Sequence, residues 1–316
     1  MRRVLFVGVG LLLTALLAMD GALATVLATP EPVITGRGDQ YWPAATATGL
    51  AWVESRKDLG QHVYIRNLRR HRPIKVDRTG WSSSAGSFSG SHTLIYQQYK
   101  YTRRGSLSDL YRYDTNGGHH HRIPAPVSTS EWEYLPSASS RAILFLRCYL
   151  DRKDRCRRRA LLMYDRQSPH KVRTLIRDIG PRPVYPGYAG LRYVAWTECD
   201  RANNCEVRFY DFINHTFHRL SPPAGMEQYA PAIDEDANLI YFVQSDAACG
   251  RNVFVRRATL GSNVSTAVAS FPRGIDTGYT LSLAPTTDGH QDLYYERYAC
   301  QSEDGDVYAL RDVDLL

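Results

Sequence analysis

The chain has 316 residues, 43% of them apolar and 11% aromatic, which excludes a disordered or low-complexity protein. Length alone would suggest about two domains. The formal charge of +7 comes from 39 Lys and Arg against 32 Asp and Glu, so any strongly basic surface must be local.

The first residues read as a targeting segment. Arg2 and Arg3 precede an apolar run from Val4 to Ala18, and Ala22-Leu23-Ala24 gives a small-x-small cleavage pattern. Residues 1–24 are expected to be a signal peptide, with a retained membrane anchor as the alternative. The run is shorter than the roughly 20 apolar residues a span needs, and Asp20 closes it. Residues 25–31 would be a short tether and residues 32–316 the folded part, secreted or associated with the cell envelope. In that compartment nucleic acid is not an expected partner.

From there a two-part pattern repeats. GLAWVES (49–55), TLIYQQY (93–99), AILFLRC (142–148), RYVAWTE (192–198), NLIYFVQ (238–244) and DLYYERY (292–298) are each followed by a second β-prone run. The partners are HVYIRNL (62–68), DLYRYDT (109–115), LLMYDRQ (161–167), VRFYDFI (207–213), NVFVRRA (252–258) and DVYALRD (306–312). A period of about 50 residues with two strands per unit signals a propeller or solenoid.

Two further runs complete each unit. Small-residue stretches such as PAATAT (43–48), LPSASS (135–140) and APAIDEDAN (230–238) suit an innermost strand crowded around an axis. Weaker outer runs follow at 72–77, 120–125, 171–176, 217–222 and 265–270. The reading is an all-β fold, a six-bladed β-propeller with four-stranded blades. The sixth unit ends after its third strand, and Pro32-Val33-Ile34-Thr35 is expected to supply the fourth and close the ring.

Six cysteines fall in the loops between the second and third strands. They allow 15 pairings, and the repeat register selects Cys148–Cys156, Cys199–Cys205 and Cys249–Cys300. Their spacings lack zinc-site character. The same kind of loop in the third unit concentrates positive charge in Arg152, Lys153, Arg155, Arg157, Arg158 and Arg159. Such a patch suits an anionic surface: a wall polymer, lipid headgroups or an acidic protein.

The segment APAIDEDANLIYFV (230–243) resembles the TolB-type, WD40-like propeller repeat through Pro231, Asp236, Leu239 and Tyr241 or Phe242, with Asp-Gly replaced by Asp236-Ala237. Pro136 with Ile143 and Phe145, and Pro186 with Val194 and Trp196, follow the pattern more loosely. The resemblance implies a six-bladed propeller of a bacterial exported type. No counterpart of the N-terminal α/β domain that TolB carries is expected among these residues, so TolB's role in envelope assembly is not implied.

Related propellers cap serine hydrolases, yet the nearest approach to a nucleophile elbow is Gly86-Ser87-Phe88-Ser89-Gly90, with Phe at its centre. No phosphate loop or zinc-protease helix occurs, so no cofactor and no metal are expected. The three histidines His119 to His121 read as a polar turn. The more informative constellation is an aromatic just before each inner strand: Tyr41 or Trp42, Trp81, Trp132 or Tyr134, Tyr185, Tyr229 and Tyr279. Asp39, Glu131, Glu133, Glu227 and Asp276 accompany them.

On the disulfide-bearing face these groups would ring the channel mouth. There they could stack on sugars or clasp a peptide, or they could wedge between blades as core. The reading favoured is an exported, monomeric, non-catalytic module that binds a protein, peptide or cell-wall glycan. The alternative is a glycan hydrolase or lyase using paired carboxylates at that mouth.

Overall fold

Apolar β-runs joined by short polar loops form antiparallel hairpins, and repeating them makes each sheet cover its neighbours on both faces. The computed structural model describes residues 27–315 apart from 37, 57–59, 68–71, 103, 104, 169, 170, 247, 248, 251 and 303. The expected leader at 1–24 and the first two tether residues lie outside the described residues.

Six four-stranded antiparallel sheets are arranged as blades. The chain enters through β1 (Glu31–Ile34). Blade one is β2 (Asp39–Thr46), β3 (Gly49–Arg56), β4 (Gly60–Asn67) and β5 (Ile74–Lys75). Blade two is β6 (Ser82–Phe88), β7 (Thr93–Thr102), β8 (Gly105–Asp114) and β9 (His120–Arg122). Blade three is β10 (Trp132–Ala138), β11 (Ala142–Leu150), β12 (Cys156–Asp165) and β13 (Val172–Ile176).

Blade four is β14 (Val184–Ala189), β15 (Tyr193–Cys199), β16 (Cys205–Asp211) and β17 (Thr216–Arg219). Blade five is β18 (Glu227–Asp234), β19 (Leu239–Ser245), β20 (Val253–Thr259) and β21 (Ser265–Phe271). Blade six is β22 (Ile275–Pro285), β23 (Gln291–Ala299) and β24 (Gly305–Leu310), with β1 as its outer strand. The β1–β24 register pairs Glu31 with Ala309 and Ile34 with Val307. Ile34 joins the cluster of Trp52, Tyr294 and Val307, so blade six is built from both ends of the described chain and packs on blade one.

The core lies between blades. Leu144, Leu146 and Leu161 of blade three meet Trp196 and Tyr210 of blade four in one cluster, and Tyr241, Val243 and Val255 meet Leu281 and Tyr295 in another. Burial on both faces explains why β15 is buried at every position rather than at alternate ones.

The inner strands begin earlier than their small residues suggest, at Asp39, Trp132 and Glu227. The aromatics expected ahead of them therefore lie within or beside the strands. The small residues have a second task. Each inner strand is the terminal strand of its sheet and turns a free edge toward the axis, and its backbone groups need partners. Ser87 and Ser89 donate to the Ala138 and Ser139 carbonyls of the next blade (3.2 and 2.8 Å). One repeat later, Ser137 and Ser139 donate to Gly187 and Gly190 (3.2 and 2.8 Å). The false elbow of the sequence is thus a seam between blades.

Inner-strand starts pair with the ends of second strands, as in Trp132 with Cys148 and Ile275 with Ala299. They share one face with the loops between second and third strands. Three disulfides brace that face: Cys148–Cys156, Cys199–Cys205 and Cys249–Cys300. The first two close single hairpins, while the third ties blade five to blade six across 51 residues. Loop-closure entropy then makes the third bridge the strongest. Replacing Cys249 and Cys300 by Ser is expected to cost about 4 kcal/mol in urea unfolding, against about 2 kcal/mol for either hairpin bridge.

Candidate functional site

All six inner strands break register at one level, between Tyr41 and Ala44, Ser84 and Gly86, Tyr134 and Ser137, Pro186 and Tyr188, Tyr229 and Ala232, and Thr277 and Leu281. These bulges re-aim side chains. Trp42, Leu135 and Ala230 hold left-handed backbone there, with φ of 51°, 49° and 54°. Each is followed by proline, Pro43, Pro136 or Pro231, whose ring fixes the next φ.

The bulge sorts the aromatics into two sets. Tyr41, Tyr134 and Tyr229 pack in or against the inter-blade clusters. Trp42, Tyr185 and Tyr279 line a central cavity of about 500 Å³ that runs toward the opposite face past Ser137, Ser139 and Asp234. Tyr185 of blade four stacks on Tyr279 of blade six, with ring centroids 4.3 Å apart and planes 18° apart. Tyr229 leans on the same ring at 5.3 Å. Tyr279 remains 38% exposed, so the stack presents a surface as well as a contact. Trp81 lies apart, in a cleft with His62, Lys75 and Asp77, and half-buried Trp132 sits opposite Cys148 at the start of β10.

The carboxylates also divide. Buried Glu133 accepts bonds from Arg147 Nε at 2.9 Å and from the Thr129 hydroxyl at 2.8 Å. The Arg147 guanidinium also donates to the Pro126 and Val127 carbonyls, so this pair ties down the loop entering blade three. Glu131 accepts from the Leu150 N–H at 2.5 Å at the base of the β11–β12 hairpin. Asp276, 2% exposed, accepts from Tyr229 Oη at 2.9 Å and the Cys249 N–H at 2.6 Å, bracing the inter-blade disulfide.

Of Glu131, Glu133, Glu227 and Asp276, the acids whose pairing would suit glycan chemistry, only Glu227 keeps its carboxylate clear of such bonds among the described residues. Burial raises the Glu227 pKa, and the nearby charges of Asp276 and Asp200 add to it. Cys249, Asp276 and Cys300 place ligand-type atoms within 4.8 Å. Both sulfurs belong to one disulfide and offer no thiolate. His119 and His121 are exposed with rings 6.4 Å apart, while His120 bonds to Tyr96 Oη at 2.9 Å and leans on Tyr113.

One residue escapes motif reading altogether. Glu296 of β23 lies opposite the blade-six bulge. A Cβ at Gly278 would collide with its carboxylate, and one at Gly305 would lie 3.2 Å from it, so two glycines open the space it fills. Burial pushes its pKa up to about 8, with the charges of Asp39 and Asp276 adding and a bond from the Trp42 N–H opposing. The Tyr298 hydroxyl is likewise pushed up by burial and then by Asp276, Glu296 and Tyr279. The signal was present in sequence. The fifth residue of the GLAWVES-type run is Val53, Gln97, Leu146, Trp196 or Phe242 in the other units and Glu296 in the sixth.

Blades five, six and one thus converge on a crevice at the disulfide face that combines tyrosine rings with Glu227, Asp276, Glu296 and Asp39. Such a crevice can stack a planar or sugar-like group, accept hydrogen bonds from hydroxyls and hold a cation. It disfavours polyanions.

No protein-family model matches the sequence, and no curated protein matches it. Solved structures match in fold. TolB from Acinetobacter baumannii superposes with a TM-score of 0.54 at 13% identity, over 84% of this chain and 64% of that one. A putative TolB from Agrobacterium tumefaciens gives 0.54 at 14%, over 87% and 91%. The β-propeller domain of the trilobed protease from Pyrococcus furiosus, described as having an open velcro topology, gives 0.53 at 9%, over 86% and 95%. The fold is that of a TolB-like six-bladed propeller.

The Glu296 environment predicts a pH dependence. The folded chain holds this proton up to about pH 8, whereas an unfolded Glu loses it near 4.5. Between those values the folded state binds more protons, so stability contributed by protonated Glu296 is lost as pH rises through the window. Urea unfolding at about pH 5 and about pH 9 is expected to show a larger loss for the parent chain than for Glu296→Gln.

Proposed function

We propose that this chain is an exported binding module that receives a protein segment, peptide or cell-wall glycan at the channel mouth of its disulfide-braced face. The observation that carries the reading is the Tyr185–Tyr279 stack, with Glu227 at its side and Glu296 against the neighbouring Gly278. Exposed aromatic surface beside carboxylates of raised pKa, over an open cavity, is the composition of a recognition site rather than of a packed core. Three disulfides agree with an oxidising compartment, as does the N-terminal segment with an export signal.

A second reading, acid–base chemistry on a glycan, is favoured by one observation: burial raises both Glu227 and Glu296. A carboxyl that keeps its proton near neutrality can act as a general acid. The partners expected for it from sequence, Glu131, Glu133 and Asp276, are held by loop-bracing bonds.

The test is a glycan-array, peptide-array and wall-polymer pull-down with residues 25–316 beside Tyr279→Ala and Glu227→Gln. Loss of a bound ligand by roughly tenfold or more in either variant, with unchanged thermal melting, supports the site. Retention by both variants moves recognition away from the channel mouth. Product release that disappears in Glu296→Gln while binding persists would establish the catalytic reading instead.

A further inference from the structure

We propose that the β7–β8 and β11–β12 hairpins of blades two and three form, through their described residues, a docking edge for an anionic lipid bilayer, separate from the channel mouth. Both hairpins join second to third strands and so rise from the disulfide face. Their bases are tied to one three-residue segment. Ser108 Oγ of β8 donates to the Glu133 carbonyl at 2.8 Å, and Glu131 accepts the Leu150 N–H of β11 at 2.5 Å. The bases of the two hairpins are therefore held side by side, the second also closed by Cys148–Cys156.

Their surfaces are complementary in kind. The blade-two hairpin is built on two ten-residue strands and carries Tyr101 at 77% exposure and Leu107 at 52%. Tyr101 lies opposite Ser106, and Leu107 lies opposite exposed Lys100, so apolar groups emerge on both sides of the tongue. The blade-three hairpin carries exposed Arg152, Lys153 and Arg157, which make no ion pair among the described residues.

Asp151 is turned inward. It accepts the Lys153 and Arg155 N–H groups at 2.7 and 3.1 Å and pairs with the Arg155 side chain at 2.9 Å, leaving its neighbours' charge outward. Arg158 lies over the Tyr149 ring at 4.1 Å and extends the same basic edge. Tyrosine and leucine tips beside a cluster of cations match the headgroup zone of an anionic bilayer, where rings settle at the interface and each cation gains from the surface potential. A soluble polyanion would use the cations and leave Tyr101 and Leu107 in water. The acidic crevice lies on blades five, six and one, so its charge does not oppose contact at this edge.

The test is co-flotation of residues 25–316 with phosphatidylcholine vesicles containing about 30% phosphatidylglycerol, against phosphatidylcholine alone. Flotation with the anionic vesicles is expected, weakening as salt is raised. Arg152→Gln/Lys153→Gln/Arg157→Gln is expected to lower partitioning on the order of a hundredfold. Tyr101→Ser/Leu107→Ser is expected to lower it roughly tenfold. All five side chains are exposed, and melting temperatures equal to the parent's verify that the fold is unaffected. Absence of flotation with anionic vesicles overturns the proposal. So does full binding by the Tyr101/Leu107 variant, which would make the edge a polyanion patch with no bilayer contact.

Discussion

Six inner strands converging on one axis impose the constraint from which the rest of this molecule follows. Each has a strand neighbour on one side only, and unpaired backbone groups near the axis are costly unless something bonds them. A seventh strand has no room there, but hydroxyls do. Ser87, Ser89, Ser137 and Ser139 reach the next blade's carbonyls, and Ser282 accepts the Ala45 N–H at 2.9 Å across the blade-six to blade-one junction. Small polar residues are therefore both the packing solution and the hydrogen-bonding solution. They also leave the space that becomes the channel.

The shared bulge converts this symmetric frame into an asymmetric site. At the fifth place of the second-strand run most units bury an apolar residue, as with Val53, Leu146, Trp196 and Phe242. In blade six the corresponding run carries Glu296, and Gly278 in the facing bulge gives it room. Asp276 and Asp39 crowd the same carboxylate, and the resulting repulsion is not offset by an ion pair among the described residues. A fold needing only closure would gain from an apolar residue at this position. Retaining an ionisable carboxyl there loses stability as pH rises from the ordinary carboxylate range through about 8, which is intelligible if the crevice serves recognition.

Sequence reading recovered the blades because their second and third strands are long, apolar and regularly spaced. The inner strands were legible only in their latter halves. Their first halves carry Gln40, Glu133, Gln228 and Asp276, all buried polar residues that look like loop. Single-sequence patterning equates burial with apolarity, and these positions are polar yet buried, Glu133 and Asp276 by bonding to loops. The aromatics were found but could not be sorted. Whether Tyr229 or Tyr279 faces the channel depends on a one- or two-residue bulge, and a residue slip in a strand reverses its faces. Glu296 was visible only as an exception within the aligned repeats.

The disulfide face is electrically divided, and the bracing explains how it can be. Positive groups gather on blades two and three, and carboxylates on blades five, six and one. Free hairpins carrying such charge would bend to lessen self-repulsion or to pair with the opposite sign. Glu131 and Cys148–Cys156 hold the basic hairpin at its base, and Asp276 with Cys249–Cys300 holds the acidic side. Each brace uses a carboxylate that reaches from an inner-strand start to a backbone N–H of a loop. The same acids that sequence reading would assign to ligand chemistry thus do their work one step back, by fixing where the exposed charges stand. The groups the braces do not use are Tyr279, Glu227 and the carboxyl of Glu296, the ones the proposed reading assigns to a ligand.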